Sequence, residues 1–196
     1  MATLDPEYMR CTYSCEYRGI PGTDHGPDDY PMFWKVRMTG RLWDDEGGDG
    51  EDAEVGYADV YLVPDAGLID LFFTLDAVNQ EVANVAEMLT IKMPDLVEDM
   101  EIGGDLMYLS SLWIDPKFRG NDLGHAALKA IIGTIGRSAA LVVLLAAPVL
   151  TDNGPEEGTQ EHEAAKAALR RYWMDFGFEE ADGDYVAFRD MAQILG

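Results

Sequence analysis

The chain has 196 residues, and 47% of them are hydrophobic, which is enough for one sizeable core and excludes intrinsic disorder as a description of the whole. It carries 37 acidic against 14 basic residues, a formal net charge of −23, which argues against nucleic acids and anionic membranes as partners because both require a cationic surface. A cationic small substrate and adaptation to high salt fit this composition equally well.

The beginning of the chain has neither a basic segment nor an apolar run typical of a signal peptide, so we expect a cytoplasmic protein. The longest apolar run, residues 139–149, has about 11 residues, whereas a membrane helix needs about 20. We therefore expect no membrane span.

Alternating apolar residues predict strands over 9–17, 32–39 and 55–63. Cys11 and Cys15 lie in the first strand, where four residues span about 13 Å, so we expect two free thiols. Without a histidine pair they do not indicate a metal site. The acidic, glycine-rich segment 44–54 is predicted to be a solvated hairpin loop, because it lacks the ligand spacing of a calcium-binding loop.

After the third predicted strand, the spacing of apolar residues changes from every second residue to every third and fourth residue. Apolar residues recur at three and four over 65–91, which predicts an amphipathic helix or a broken pair of helices, ended before Pro94. A second acidic loop, 95–105, leads into DLMYLSSLWID, residues 105–115, a segment that is apolar on both parities and is therefore predicted to be a central strand. Beyond this strand we expect helices at 122–135 and 161–176 and strands at 141–147 and 185–188. We expect all of these elements to belong to one domain over residues 1–196.

The most informative segment is LWIDPKFRGNDLGHAAL, residues 112–128, in which a buried strand runs into a glycine-containing turn and then a helix. Backbone N–H groups of such a turn, together with the positive end of the helix dipole, form a site for an anion such as a phosphate. Taken alone, the turn also fits a strand-to-helix connection that needs left-handed residues only for its shape.

The order of these elements resembles the Gcn5-related N-acetyltransferase (GNAT) family over about residues 105–190. Residues 114–124, IDPKFRGNDLG, are similar to the acetyl-CoA motif of that family, and residues 169–178, LRRYWMDFGF, resemble the end of its last helix. The resemblance implies an α/β fold with a twisted mixed sheet of about six or seven strands, helices on both faces, and a splay after the fourth strand beside Ile114.

The resemblance also implies acetyl-CoA as co-substrate and transfer of its acetyl group to a primary amine. Backbone groups at the end of the fourth strand would hold the acetyl carbonyl and pantetheine, which implicates Leu112, Trp113 and Ile114. Amide groups of the turn would take the pyrophosphate. The turn residues concerned are Arg119, Gly120, Asn121, Asp122, Leu123, Gly124 and His125.

Two residues depart from the family pattern. Asp122 stands where the family usually has its middle glycine, and we expect its side chain to turn outward and cap the following helix. Trp173 stands where the family commonly has the tyrosine that protonates the leaving thiolate, and an indole cannot act as an acid. The adjacent Tyr172 is therefore the candidate acid.

The candidates for the catalytic base are Asp70, Asp76, Ser110 and Ser111, or a water held by them. Ser110 and Ser111 have opposite parities in the predicted strand, so we expect one of them to face the cofactor cleft, and we take Ser110 as a candidate catalytic residue.

The leading hypothesis is an N-acetyltransferase that acts on a small-molecule or lysine-type amine by direct attack, since no cysteine lies near the motif to form an acyl-enzyme. A catalytically weak or inactive acetyltransferase-like binding or regulatory module is the alternative, favoured by Asp122 and Trp173. A simple interaction protein with a coincidental turn is a third interpretation. Homodimers are common among proteins of this type.

Overall fold

The computed structural model describes residues 6–19, 24, 29–42, 51–98, 100, 103–120, 122–149 and 155–192. Within these ranges, seven strands form one sheet, and five α-helices flank it. The strands are β1 (Met9–Glu16), β2 (Met32–Leu42), β3 (Glu51–Val63), β4 (Asp105–Ile114), β5 (Ala139–Leu145), β6 (Glu179–Glu180) and β7 (Tyr185–Phe188). The helices are α1 (Leu71–Asp76), α2 (Gln80–Glu87), α3 (Asp95–Glu98), α4 (Leu123–Thr134) and α5 (Gln160–Phe176).

The sheet has the order β1-β2-β3-β4-β5-β7-β6, and β4 lies at its centre. Strands β4 and β5 are parallel, and the other neighbouring pairs are antiparallel. A parallel pair needs a crossover connection, which α4 provides between these two strands. The predicted fold class, a mixed sheet of six or seven strands flanked by helices, is confirmed.

Both faces of the sheet are covered, and β4 shows why its sequence is apolar on both parities. Met107 and Leu109 face a core shared with α4 and α5. Leu106 and Tyr108 face a second core shared with α1, α2 and α3. Because consecutive side chains of a strand point to opposite faces, a central strand between two helical layers has no solvent-facing set of residues.

The structure differs from the sequence predictions in the two acidic segments. Strand β3 begins at Glu51, inside the segment predicted as a loop, because the backbone there pairs with the end of β2, Leu42 opposite Glu51. Residues 44–50 of that segment lie outside the described residues. The second acidic segment contains the short helix α3, whose Leu96 is buried in the second core.

The helical region between β3 and β4 is a broken pair, one of the two arrangements predicted. Helices α1 and α2 each begin at a side-chain cap, and α2 continues as a wider turn over Met88–Lys92. Asp70 accepts a hydrogen bond from the Phe73 N–H at 3.1 Å, and Asn79 accepts one from the Val82 N–H at 3.0 Å. Asp70, proposed above as a base, thus serves as the cap of α1.

Cys11 and Cys15 are free thiols, as predicted. Cys11 is half-buried, and Cys15 is exposed near the end of edge strand β1. Burial raises the pKa of both thiols, so neither is activated as a nucleophile.

Candidate active site

The candidate site begins where β4 and β5 separate. Their pairing ends at Leu109 opposite Leu144, whereas β4 continues to Ile114, paired only on its other side with β3. Because β5 itself ends at Leu145, the second half of β4 has no paired strand on its β5 side among the described residues, and we call this unpaired side of β4 the gap. The pairing thus ends five residues before Ile114, the residue beside which the resemblance implies a splay. Leu112, Trp113 and Ile114 lie in this half, and all three are half-buried.

A β-bulge in β4 lies at the start of the gap. Asp59 of β3 pairs with Ser111 and Val60 pairs with Leu109, so Ser110 is the extra residue. The bulge places Ser110 and Ser111 on the same face, the one covered by α2. The expectation that they face opposite sides is wrong, because an extra residue interrupts the alternation of the strand.

The two serines bind two carboxylates on that face. The Ser110 hydroxyl donates to Glu81 Oε1 at 2.7 Å, and the Ser111 hydroxyl donates to Asp59 Oδ2 at 3.2 Å. The Tyr108 hydroxyl also donates to Glu81 Oε1 at 2.7 Å. Burial, followed by the neighbouring Glu81 carboxylate, raises the pKa of Tyr108 far above its usual range, so this hydroxyl remains protonated and donates.

The turn after β4 is held by its own side chains. Asp115 accepts a hydrogen bond from the Lys117 N–H at 3.0 Å, and Arg119 Nε donates to the Ile114 carbonyl at 2.8 Å. Gly120 and Asp122 both have positive φ, 93° and 52°. Asn121 lies outside the described residues. The backbone thus turns sharply into α4 with two cationic side chains, those of Lys117 and Arg119, at its exposed side.

Asp122 does not cap α4 as expected. It occupies the capping position, but its backbone is left-handed and its side chain makes no capping hydrogen bond. A side-chain cap requires an extended backbone at this position, and the left-handed conformation directs the carboxylate elsewhere. The turn therefore requires the geometry of glycine at a position occupied by aspartate.

Replacing Asp122 with glycine is expected to raise the free energy of unfolding by about 1 kcal/mol, because left-handed backbone costs a residue with a Cβ about 1–2 kcal/mol and costs glycine almost nothing. Asp122→Ala serves as the control and is expected to lower stability, because alanine tolerates this conformation less well than aspartate. Urea denaturation of the three proteins measures the effect. Equal stability of the alanine and glycine variants would contradict the left-handed turn.

The amino end of α4 is occupied by Tyr172 of α5. The Tyr172 hydroxyl accepts a hydrogen bond from the His125 N–H at 2.9 Å, and the His125 ring bonds to the Tyr172 carbonyl through Nε2 at 2.8 Å. The two rings stack with their centroids 3.9 Å apart. A Cβ on Gly124 would come within 2.6 Å of the Tyr172 oxygen. Burial raises the pKa of Tyr172, so its hydroxyl stays neutral in this contact.

Trp173 supports this arrangement from the core. Its side chain is 6% exposed, and its ring lies 5.0 Å from Tyr172, 5.8 Å from His125 and 6.0 Å from Phe178, measured between centroids. Trp173 is thus a packing residue, and Tyr172, one position earlier, is the side chain that reaches α4.

The structure does not bring the two predicted catalytic residues together. Tyr172 packs against the core on the α4 side of the sheet, whereas Ser110 lies on the α2 side. Asp76 is exposed at the end of α1. Ser111 bonds to Asp59 within the sheet.

Sequence reasoning missed Glu81 and Asp59. Glu81 is one of many acidic residues, and its contacts join positions 27 and 29 residues apart in the chain. Glu81 lies in the first turn of α2, just after the capping residue Asn79, where acidic residues are common, so its position carried no distinguishing signal. Asp59 was detectable as the carboxylate within an otherwise apolar strand segment, residues 55–63.

Comparisons of this chain with protein-family models, with curated proteins and with solved structures gave no match. Among the described residues, no helix is both long enough and apolar enough to cross a membrane. Function therefore has to be argued from the geometry of the site.

Proposed function

We propose that this protein is an acetyl-CoA-dependent N-acetyltransferase that transfers the acetyl group to a primary amine. The observation that carries the proposal is the gap between β4 and β5, which opens at Leu109 and leads to the turn and the amino end of α4. Unpaired backbone groups along a strand suit an amide-rich pantetheine arm, and a helix amino end suits a diphosphate.

The acidity of the chain is compatible with this anionic co-substrate. Backbone N–H groups bind phosphate without any cationic side chain, and the helix dipole adds a partial positive charge at the same point. Lys117 and Arg119 lie on the exposed side of the turn, where Lys117 pairs with Asp115 at 3.3 Å and Arg119 Nε donates to the Ile114 carbonyl. High salt would screen the remaining repulsion.

A diphosphate at this point would compete with Tyr172. The His125 N–H now donates to the Tyr172 hydroxyl, and an N–H group has only one proton to donate. We propose that the diphosphate replaces the hydroxyl as acceptor. Two groups are candidate acids for the thiolate: the Tyr172 hydroxyl, once it leaves the contact with His125, and the Ser110 hydroxyl.

In the proposed reaction, the free amine attacks the thioester carbon and forms the new C–N bond as the carbonyl electron pair moves to oxygen. The carbonyl then re-forms, the C–S bond breaks, and the electron pair leaves with sulfur as a thiolate. The nitrogen loses a proton and the thiolate gains one, so the products are an amide and coenzyme A. Backbone N–H groups of Leu112, Trp113 or Ile114 would stabilise the developing oxyanion.

Isothermal titration with acetyl-CoA tests this function, and we expect binding in at least one of two buffers, one of low and one of high salt. In Gly124→Ala, the added methyl group would lie beside the first amides of α4 and 2.6 Å from the Tyr172 hydroxyl oxygen. We expect this substitution to weaken acetyl-CoA binding about tenfold or more. Gly133→Ala is the matched control in the same helix, because a Cβ there meets nothing within 4 Å. Absence of binding at millimolar acetyl-CoA in both buffers would refute the proposal.

The alternative function, a binding or regulatory module with weak or no catalysis, is favoured by the contact of Tyr172 with α4 and by the strained Asp122. This alternative predicts that Asp122→Gly binds acetyl-CoA about tenfold more tightly than the wild type and that neither protein transfers the acetyl group. A working enzyme should change its affinity little and should acetylate an amine.

A further inference from the structure

The Glu81 carboxylate is held in an unusual way for a residue on an exposed helix face. Two hydroxyls, those of Tyr108 and Ser110, donate to the same oxygen, Oε1, each at 2.7 Å. No described residue donates to the second oxygen, Oε2, and the Glu81 side chain is exposed. The carboxylate is thus fixed through one oxygen and open through the other.

The position of this carboxylate relates it to the gap in the sheet. Ser110, one of its two donors, is the bulged residue that directly follows the last β4 residue paired with β5. Tyr108, the other donor, lies within the paired part of β4 and is fully buried. Glu81 is therefore anchored to the point at which the two strands part, where a thioester lying along β4 would end.

Glu81 itself has no Lys or Arg partner in a salt bridge among the described residues, and Asp59 likewise forms no salt bridge in that part of the chain. Burial raises the pKa of Tyr61 and the charges of Glu81 and Asp59 raise it further, whereas a hydrogen bond with Asn79 and the charge of Arg18 lower it. The Tyr61 ring stacks on Phe33 at 4.8 Å and on Tyr108 at 6.2 Å, and Lys35 Nζ already lies 5.2 Å from the centroid of the Phe33 ring.

We infer that Glu81 binds the ammonium group of a cationic primary amine through Oε2 and is the catalytic base of the transfer, an inference that rests on the function proposed above. The ammonium first loses one proton to water, which gives the neutral nucleophile. As the C–N bond forms, the nitrogen passes its second proton to Glu81. As the C–S bond breaks, the Ser110 hydroxyl gives its proton to the thiolate and recovers one from Glu81, so that both side chains return to their starting states.

This route gives Ser110 a role that its position supports. Its hydroxyl bonds to Glu81 and lies at the start of the gap, so it can relay a proton between the carboxylate and a sulfur atom in the gap. Asp59, held by Ser111, lies on the same face but directly opposite Lys35 of β2, so Glu81 is the carboxylate that we assign to the acceptor.

The test compares the wild type with Glu81→Gln and with Glu87→Gln, a matched control. Glu87 lies in the same helix, is exposed and pairs with Lys92 at 3.5 Å, so its replacement removes the same charge without touching β4. Spermidine serves as the probe amine, and its binding is measured by isothermal titration, without cofactor and with coenzyme A. Acetyl-CoA binding and the rate of spermidine acetylation are measured on the same three proteins.

We expect Glu81→Gln to bind spermidine about 10- to 100-fold more weakly, as when a charge-assisted hydrogen bond is lost, and to acetylate it about 100-fold or more slowly at saturating spermidine. Its affinity for acetyl-CoA should stay unchanged, and Glu87→Gln should match the wild type in all three measurements. Ser110→Ala should retain spermidine affinity and lose turnover, which distinguishes the proton relay from binding alone.

Equal spermidine binding and turnover by the wild type and Glu81→Gln, with acetyl-CoA bound by both, would overturn this inference and leave the proposed function in place. Spermidine binding that depends on Glu81 in a protein that does not bind acetyl-CoA would refute the acetyltransferase and support the amine site. Equal losses in Glu81→Gln and Glu87→Gln would mean only non-specific attraction to an acidic protein and would also overturn the inference.

Discussion

Replacing Gly56 with alanine is expected to lower the free energy of unfolding by about 3 kcal/mol or more and to abolish acetyl-CoA binding. Gly56 lies in β3 directly opposite Ile114, and a Cβ at this position would come within 2.1 Å of the Trp113 carbonyl oxygen. The obstructing atoms belong to the backbone of β4, so no change of rotamer can relieve the clash. Strands β3 and β4 would have to separate at the proposed cofactor-binding segment.

Denaturation with guanidinium chloride measures this effect, and Gly133→Ala again provides the control. Gly133 lies inside α4 with open space around it, so alanine there should raise stability by about 0.5–1 kcal/mol through its better helix propensity. A loss below about 1 kcal/mol in Gly56→Ala would contradict the close approach of β3 and β4. If the variant does not fold, the register can be tested instead by cross-linking cysteines introduced at the paired positions Tyr57 and Trp113.

Replacing Trp173 with alanine is expected to cost about 3–5 kcal/mol, the usual range for removing a large buried aromatic side chain. The cavity would lie beneath the stacked rings of Tyr172 and His125, so the hydroxyl at the amino end of α4 should also lose its fixed position. We therefore expect acetyl-CoA affinity to change together with stability.

Trp173→Phe separates the two effects. Phenylalanine keeps an aromatic ring in the core and should cost less than half as much stability, while Tyr172 stays in place. Thermal unfolding with and without acetyl-CoA provides both measurements, since a ligand that binds only the folded state raises the melting temperature. The prediction fails if the alanine variant unfolds at the wild-type temperature, because Trp173 would then not be a core residue.

The fold could be read largely from side-chain periodicity. Strand β4 and helices α4 and α5 were predicted to within two residues of their observed bounds, because long apolar patterns reflect burial directly. The start of β3 and the two-residue β6 were missed. Their residues are mostly acidic, and they join the sheet through backbone pairing that no side-chain pattern reports.

The candidate site was predictable only in part. The turn with Gly120 and Gly124 is a local feature, so the sequence indicated both its place and its glycine geometry. The role of Glu81 depends on a contact between α2 and β4, and the shared orientation of Ser110 and Ser111 depends on the register of β4 against β3. Such features arise from tertiary pairing, which no short segment of a single sequence encodes.

The bulge at Ser110 allows β4 to be apolar on both faces in its first half and polar on one face in its second half. Up to Leu109, β4 needs apolar side chains on both faces because helices cover both. Beyond it, Leu112 and Ile114 must still reach the core, while the opposite face carries hydroxyls that hold carboxylates. A regular strand would have buried one of the two serines under α4 and α5. A single additional residue thus makes the centre of the sheet polar on one side only and leaves the core on the other side intact.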